Sequence, residues 1–176
     1  MQRRFVVLLI TFLFTWGGLA ALYGSNPAPR VGCQIEPRKI STGGTATFTI
    51  FADQLPPLTA YTLTIAYTNF FDLNFQDQNN EPGDGVNLAP GSAFAPESIA
   101  LNRVDRSTGE IQLAASQAIS SAMTSGFNTL ASGIIQGERV PIIIPFRFTS
   151  VALNDHNGQL MPSTAYAVEE CFIEVG

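Results

Sequence analysis

Charge is scarce in this 176-residue chain, with 13% of its residues Asp, Glu, Lys or Arg. Nowhere do Lys and Arg cluster as a nucleic acid or an anionic membrane surface would require. Histidine occurs once, as His156, set between Asp155 and Asn157 in a polar turn where it reads as solvent-exposed. A turn tip is a poor place for a general base, and no Gly-x-Ser-x-Gly elbow accompanies it, which argues against a Ser-His-Asp triad. His-Glu-x-x-His is also missing. Glu169 and Glu170 are adjacent on an expected strand, so their carboxylates point to opposite faces and cannot form a glycosidase pair with each other. The single tryptophan, Trp16, lies in the first 25 residues. No internal repeat and no amphipathic helix of ordinary length is visible. The expectation is a protein without catalytic activity of its own and without nucleic-acid partners.

Apolar residues make up 45% of the chain, and the wealth of Thr, Phe, Val, Ile and Gly favours strands over helices. Residues 1–25 read as a targeting segment, with Arg3 and Arg4 ahead of an apolar run from Phe5 to Tyr23. Two fates remain open. Gly17-Gly18 and the small residues after them suit signal-peptide cleavage, whereas a run of about 19 residues is close to the ~20 that span a bilayer. Either way the chain is exported, secreted or membrane-anchored, and it meets a membrane only through this segment. Residues 26–30 form a short Pro-containing linker, and residues 31–176 a single domain. Without the leader's two arginines, seven bases face fourteen acids, a net charge of −7.

Within the domain, apolar residues alternate with polar ones in short runs. Val31, Cys33 and Ile35 share one parity of a first strand; Ala46, Phe48 and Ile50 do so in a second. Leu63, Ile65 and Tyr67 face inward on a third, and Leu73 and Phe75 mark a short fourth. Ile99 and Leu101 begin a fifth that reaches Val104, and Ile111, Leu113 and Ala115 form a sixth. Leu130–Ile135 and Val140–Ile144 are further apolar runs. Phe146, Phe148, Val151 and Leu153 define a strand whose parity changes at Thr149–Ser150, the mark of a bulge. Asn154–Gly158 is a turn, since Asn, Asp and Gly tolerate left-handed backbone angles. Cys171, Ile173 and Val175 share one face of the closing strand. Gln76 to Pro96, rich in Asn, Asp, Gly and Pro, reads as a surface loop. Its Asp77–Asn87 portion has enough oxygen donors for calcium but lacks EF-hand spacing. Eight to nine strands with such turn spacing imply an all-β antiparallel β-sandwich behind an N-terminal hydrophobic helix.

Several stretches resemble cohesin domains, a β-sandwich family related to carbohydrate-binding modules. KISTGGTATFTI resembles the cohesin opening, and LTIAYTNFFDLNF its pattern of alternating apolar residues around a Tyr, with Thr68-Asn69 replacing the usual Asp. The two runs flanking Asp105–Gly109 resemble a cohesin hairpin, and Phe146–Val175 resembles the end of the family's fold. The resemblance covers Val31 to Val175 and implies a cohesin-like jelly roll.

Three consequences follow from it. In cohesin-like folds the first and last strands lie side by side, so a Cys33–Cys171 disulfide would tie the chain's ends together; two free buried thiols are the alternative. A sheet face carrying Thr62, Thr64, Ala66, Asn102, Gln112 and Ala114 corresponds to the one on which cohesins bind dockerins, though it would equally suit an ordinary solvated sheet. Function is then expected to be extracytoplasmic protein binding at a bacterial cell surface, with a dockerin-like partner and no cofactor. A polysaccharide-binding module is an alternative, weakened because the expected face carries no aromatic ring. A membrane-anchored structural subunit of a cell-envelope complex is another.

Overall fold

The computed structural model describes residues 28–68, 72–78, 85–138 and 142–176. The targeting segment expected at 1–25 lies outside them, and among the described residues no helix is long and apolar enough to cross a membrane. Among the described residues twelve strands run in chain order: β1 (Arg30–Glu36), β2 (Lys39–Ile40), β3 (Thr45–Asp53), β4 (Leu58–Tyr67), β5 (Leu73–Gln76), β6 (Ala89–Pro90), β7 (Ile99–Asp105), β8 (Glu110–Ser116), β9 (Asn128–Gly137), β10 (Ile142–Asp155), β11 (Ala167–Glu169) and β12 (Cys171–Val175). They form two facing sheets. One has the order β11-β1-β3-β9-β5, with β6 also on β9; the other is β2-β12-β10-β4-β8-β7.

The expected sandwich is present, with two differences. Its sheets are mixed rather than wholly antiparallel, since β1–β11 and β2–β12 run parallel. Its strand count rises to twelve because β2, β6 and β11 are pieces of two or three residues, too short for any hydrophobic period to announce. Ile142–Ile144 of the run before Pro145 and the run after it are one strand, β10.

Alternation dictates what is buried. Phe48 of β3, Phe75 of β5, Tyr67 of β4 and Phe146 of β10 meet at the centre of the core. Phe146 lies 5.0 Å from Phe48 and 5.4 Å from Tyr67 between ring centroids, and Phe48 meets Phe75 edge-on at 5.8 Å. Such pairs add to simple area burial because ring edge and ring face carry opposite partial charge. Burial pushes the Tyr67 hydroxyl up to about 12.

The closing segment changes sheets. β11 pairs parallel with β1 in the first sheet, and after Glu170 the chain crosses to the second, where β12 pairs antiparallel with β10. The first and last strands are thus neighbours across the sandwich, not partners in one sheet. Cys33 and Cys171 are joined, their Cα atoms 5.5 Å apart, so the disulfide staples one sheet to the other. Glycine at position 32 makes this approach feasible: a Cβ there would stand 2.9 Å from both Glu169 Cβ and the Phe51 ring. Arg30 reinforces the seam, donating to Asp53 of β3 at 2.9 Å and to Glu169 of β11 at 3.0 Å.

The expected turn after β10 is held by Asp155. Its carboxylate accepts the backbone N–H groups of Asn157 at 2.8 Å and Gln159 at 2.9 Å, while Gly158 takes a φ of 75°. The hydrogen bond from Gln159, then that from Asn157, holds the carboxyl below its ordinary value. The expected surface loop before β7 is partly internal. Leu88 and Phe94 are buried, and Gly91 donates its N–H to the Leu130 carbonyl at 2.9 Å, an approach closed to any side chain. Asn102 clasps the same loop. Its amide donates to the Leu88 carbonyl at 2.6 Å and accepts the Leu88 N–H at 3.0 Å.

Three outcomes are expected. Closing a loop of 138 residues is worth ~5 kcal/mol in the chain-entropy model; the Cys33→Ser/Cys171→Ser double variant should lose about 2–5 kcal/mol in urea unfolding, and an unchanged midpoint would refute the staple. Asn102→Ala should cost about 2 kcal/mol, because it strands both polar groups of the Leu88 backbone, with faster exchange of the Leu88 amide as its local signature. The turn's contribution from Asp155 is present above the ordinary carboxylate range and is lost as pH falls through the lowered folded pKa. An NMR titration should therefore find Asp155 below a reference peptide, with the Asn157 and Gln159 amides losing protection in step.

Candidate binding face

With Leu63, Ile65, Tyr67, Ile111, Leu113 and Phe146 committed to the core, the period of two sends their neighbours on β4, β8 and β10 outward. Ladder register then sets these residues side by side in rows across the second sheet. Ala152, Thr62, Ala114 and Leu101 form one row; Ser150, Thr64, Gln112 and Arg103 the next; Arg147, Ala66, Glu110 and Asp105 a third. Five of the six residues expected on this face, Thr62, Thr64, Ala66, Gln112 and Ala114, are brought together.

Asn102 is not with them. The β7–β8 register slips between Ile99 and Leu101, so Leu101 stands opposite Ala114 and Asn102 opposite the buried Leu113. That slip reverses the parity that simple alternation assigns to everything after Ala100. Leu101 therefore takes the outward place, 40% exposed, and Asn102 serves the Leu88 loop instead.

The face also extends beyond β4, β7 and β8. Past the Arg147 row, Pro145 of β10 stands opposite Phe172 of β12, and Ile143 opposite Glu174. Ile143 is 61% exposed and Phe172 44% exposed. An aromatic ring is thus present on a face expected to have none, with the Arg38 guanidinium 5.6 Å from its centroid. The signal was in the sequence: Ile143 and Phe172 share outward parity with Pro145 and Glu174 once Phe146, Ile144 and Ile173 are inside. Seeing it required knowing that β12 joins this sheet.

Between the third row and this apolar corner lies a cavity of about 490 Å³, lined by Ala66, Thr68, Gly109, Glu110, Pro145 and Arg147 among others. The charged groups beside it differ in how far they are satisfied. Asp105 accepts from the Ser107 hydroxyl at 2.6 Å, which with the Ser107 N–H holds its carboxyl below the ordinary value. Glu110 accepts from Gln112 at 3.1 Å. Arg147 has a single long contact, 3.8 Å to Glu170.

Elsewhere, His156 is exposed at its turn, and Glu169 and Glu170 turn to different arginines, Arg30 and Arg147. In the stretch expected to offer calcium ligands, Asp77 accepts the Asn87 N–H at 3.1 Å; Asn79, Asn80, Glu81 and Asp84 lie outside the described residues. No three His, Cys, Asp or Glu gather as a metal site among the described residues.

No family model and no curated protein matches the sequence. The fold does match solved structures. A type II cohesin from the cellulosome of Acetivibrio cellulolyticus superposes with a TM-score of 0.70 at 14% identity, over 84% of this chain and 95% of that one. Type II cohesin A11 from Bacteroides cellulosolvens gives 0.67 at 18%, over 84% and 99%. The cohesin of a type II cohesin–X-dockerin complex from Acetivibrio cellulolyticus, carrying an N-terminal interface mutation, gives 0.67 at 13%, over 84% and 99%. The chain is a β-sandwich of cohesin-like fold.

Proposed function

We propose that this chain is a non-catalytic, extracytoplasmic protein-binding module that holds a dockerin-like helical partner on the outer face of the β12-β10-β4-β8-β7 sheet. One observation carries the reading: small and uncharged side chains, Thr62, Thr64, Ala66, Gln112 and Ala114, form a continuous strip between two exposed apolar ends, Leu101 and the Ile143–Phe172 corner. Short side chains let a partner helix lie close, and the apolar ends supply area that gains by leaving water. A cohesin of like fold that is held in a complex with an X-dockerin supports the reading at the level of architecture. Asn102 acts behind the face, fixing the Leu88 loop that braces β7.

The disulfide fits an oxidising compartment outside the cytoplasm, at the cell surface or in secretion. Cleavage of residues 1–25 would release the module; retention would tether it as a membrane-anchored subunit. Phe172 gives a polysaccharide reading one ring to stack on, but that ring already carries the Arg38 guanidinium. Protein binding uses the whole face and is preferred.

The test is direct binding of the full chain to purified dockerin modules by calorimetry. Thr64→Arg and Ala114→Arg should each weaken binding at least tenfold without lowering the melting temperature, whereas Thr47→Arg on the opposite sheet should change nothing. Absence of binding to every module, or equal binding by all three variants, would sink the proposal.

A further inference from the structure

Charge is distributed unevenly over the domain. Of the basic side chains among the described residues, Arg38, Lys39, Arg103 and Arg147 lie on or beside the proposed docking face, against Asp105, Glu110, Glu170 and Glu174. The rest of the described domain has Arg30 and Arg106 against eight acids, of which Asp53 is buried. A near-neutral face thus sits on an acidic body, and long-range attraction does not choose its partner. Short-range hydrogen-bonding capacity does.

Three of the four acids of this face are already served, and the fourth, Glu170, has only a long contact with Arg147. Asp105 is held by Ser107 and Arg103, Glu110 by Gln112, and Glu174 by Lys39. Arg147 is not. Its guanidinium presents five N–H donors, yet its ion pair with Glu170 is 3.8 Å long and the side chain is 68% exposed. It also forms one wall of the cavity whose other walls include Ala66, Gly109 and Pro145. A fork of donors with no close acceptor among the described residues, beside an apolar hollow, is complementary to one pairing of groups: an apolar side chain to fill the hollow and a carboxylate to take the fork.

We infer that the docked partner is a helix that seats an apolar anchor in the Ala66–Pro145 cavity and brings an Asp or Glu, within one helical turn of that anchor, onto Arg147. On a helix, positions three or four apart share a face, so one docking helix presents both groups together. This specificity rests on the docking-face reading, and it predicts the partner's chemistry rather than its name.

The experiment is selection from a yeast-displayed library of helical-pair modules with a randomised docking helix, using the full chain as bait. Enriched helices should carry Leu, Ile, Val or Phe at one position and Asp or Glu three or four residues away. They should bind Ala66→Phe, which fills the cavity, and Arg147→Glu about tenfold or more weakly, and exchanging the helix carboxylate for Lys should restore binding to Arg147→Glu. Since Arg147 is exposed, that variant keeps the test valid if Ala66→Phe folds poorly. Helices that lose binding to Thr64→Arg yet tolerate Arg147→Glu, or that carry Lys or Arg beside the anchor, would overturn this inference and leave the docking face standing. Binders indifferent to Thr64→Arg as well, or no enrichment at all, would overturn both.

Discussion

The stack of Phe48, Phe146 and Tyr67 decides which way every neighbouring side chain points. These rings come from both sheets and occupy the middle of the core, so β4 and β10 cannot slip by one residue without expelling one of them into water. Fixing their inner positions fixes the outer ones. The strip of Thr62, Thr64 and Ala66, and the placement of Arg147 beside Ala66, are consequences of burial on the other side of the same backbone.

The second constraint is the seam at the chain's end. β12 reaches the second sheet only because the closing segment leaves β1 after Glu170 and crosses the sandwich, where the Cys33–Cys171 bond holds the two layers together and Arg30 ties β1 to β3 and β11 within the first. That crossing brings Phe172 to the face and Glu170 to Arg147. Stability and the proposed recognition therefore share one structural element: the staple that closes the fold also completes the candidate face.

The binding role proposed for this fold has little need of titratable chemistry. Its hydrogen-bonded polar side chains serve positioning, as Asn102 does for Leu88 and Asp155 for its turn. Under the proposed reading recognition falls to the exposed groups, and one loosely paired arginine beside a hollow says more about a partner than the net charge does.

Much was legible from the chain alone. Strict alternation around Leu63, Ile65, Ile111 and Leu113 gave the strands, their buried faces and five outward residues, because a period of two leaves no other assignment. The Asn-Asp-His-Asn-Gly turn and the bulge after Phe148 were equally readable, since their residue types answer to local backbone angles. Where long-range pairing decides, the sequence was silent. The slip near Ala100 turned Asn102 inward, the Leu88 loop entered the core through a backbone contact at Gly91, and the closing segment divided between two sheets as β11 and β12. Each depends on which strand lies alongside, and a ladder's partner is set by tertiary packing rather than by the residues of either strand.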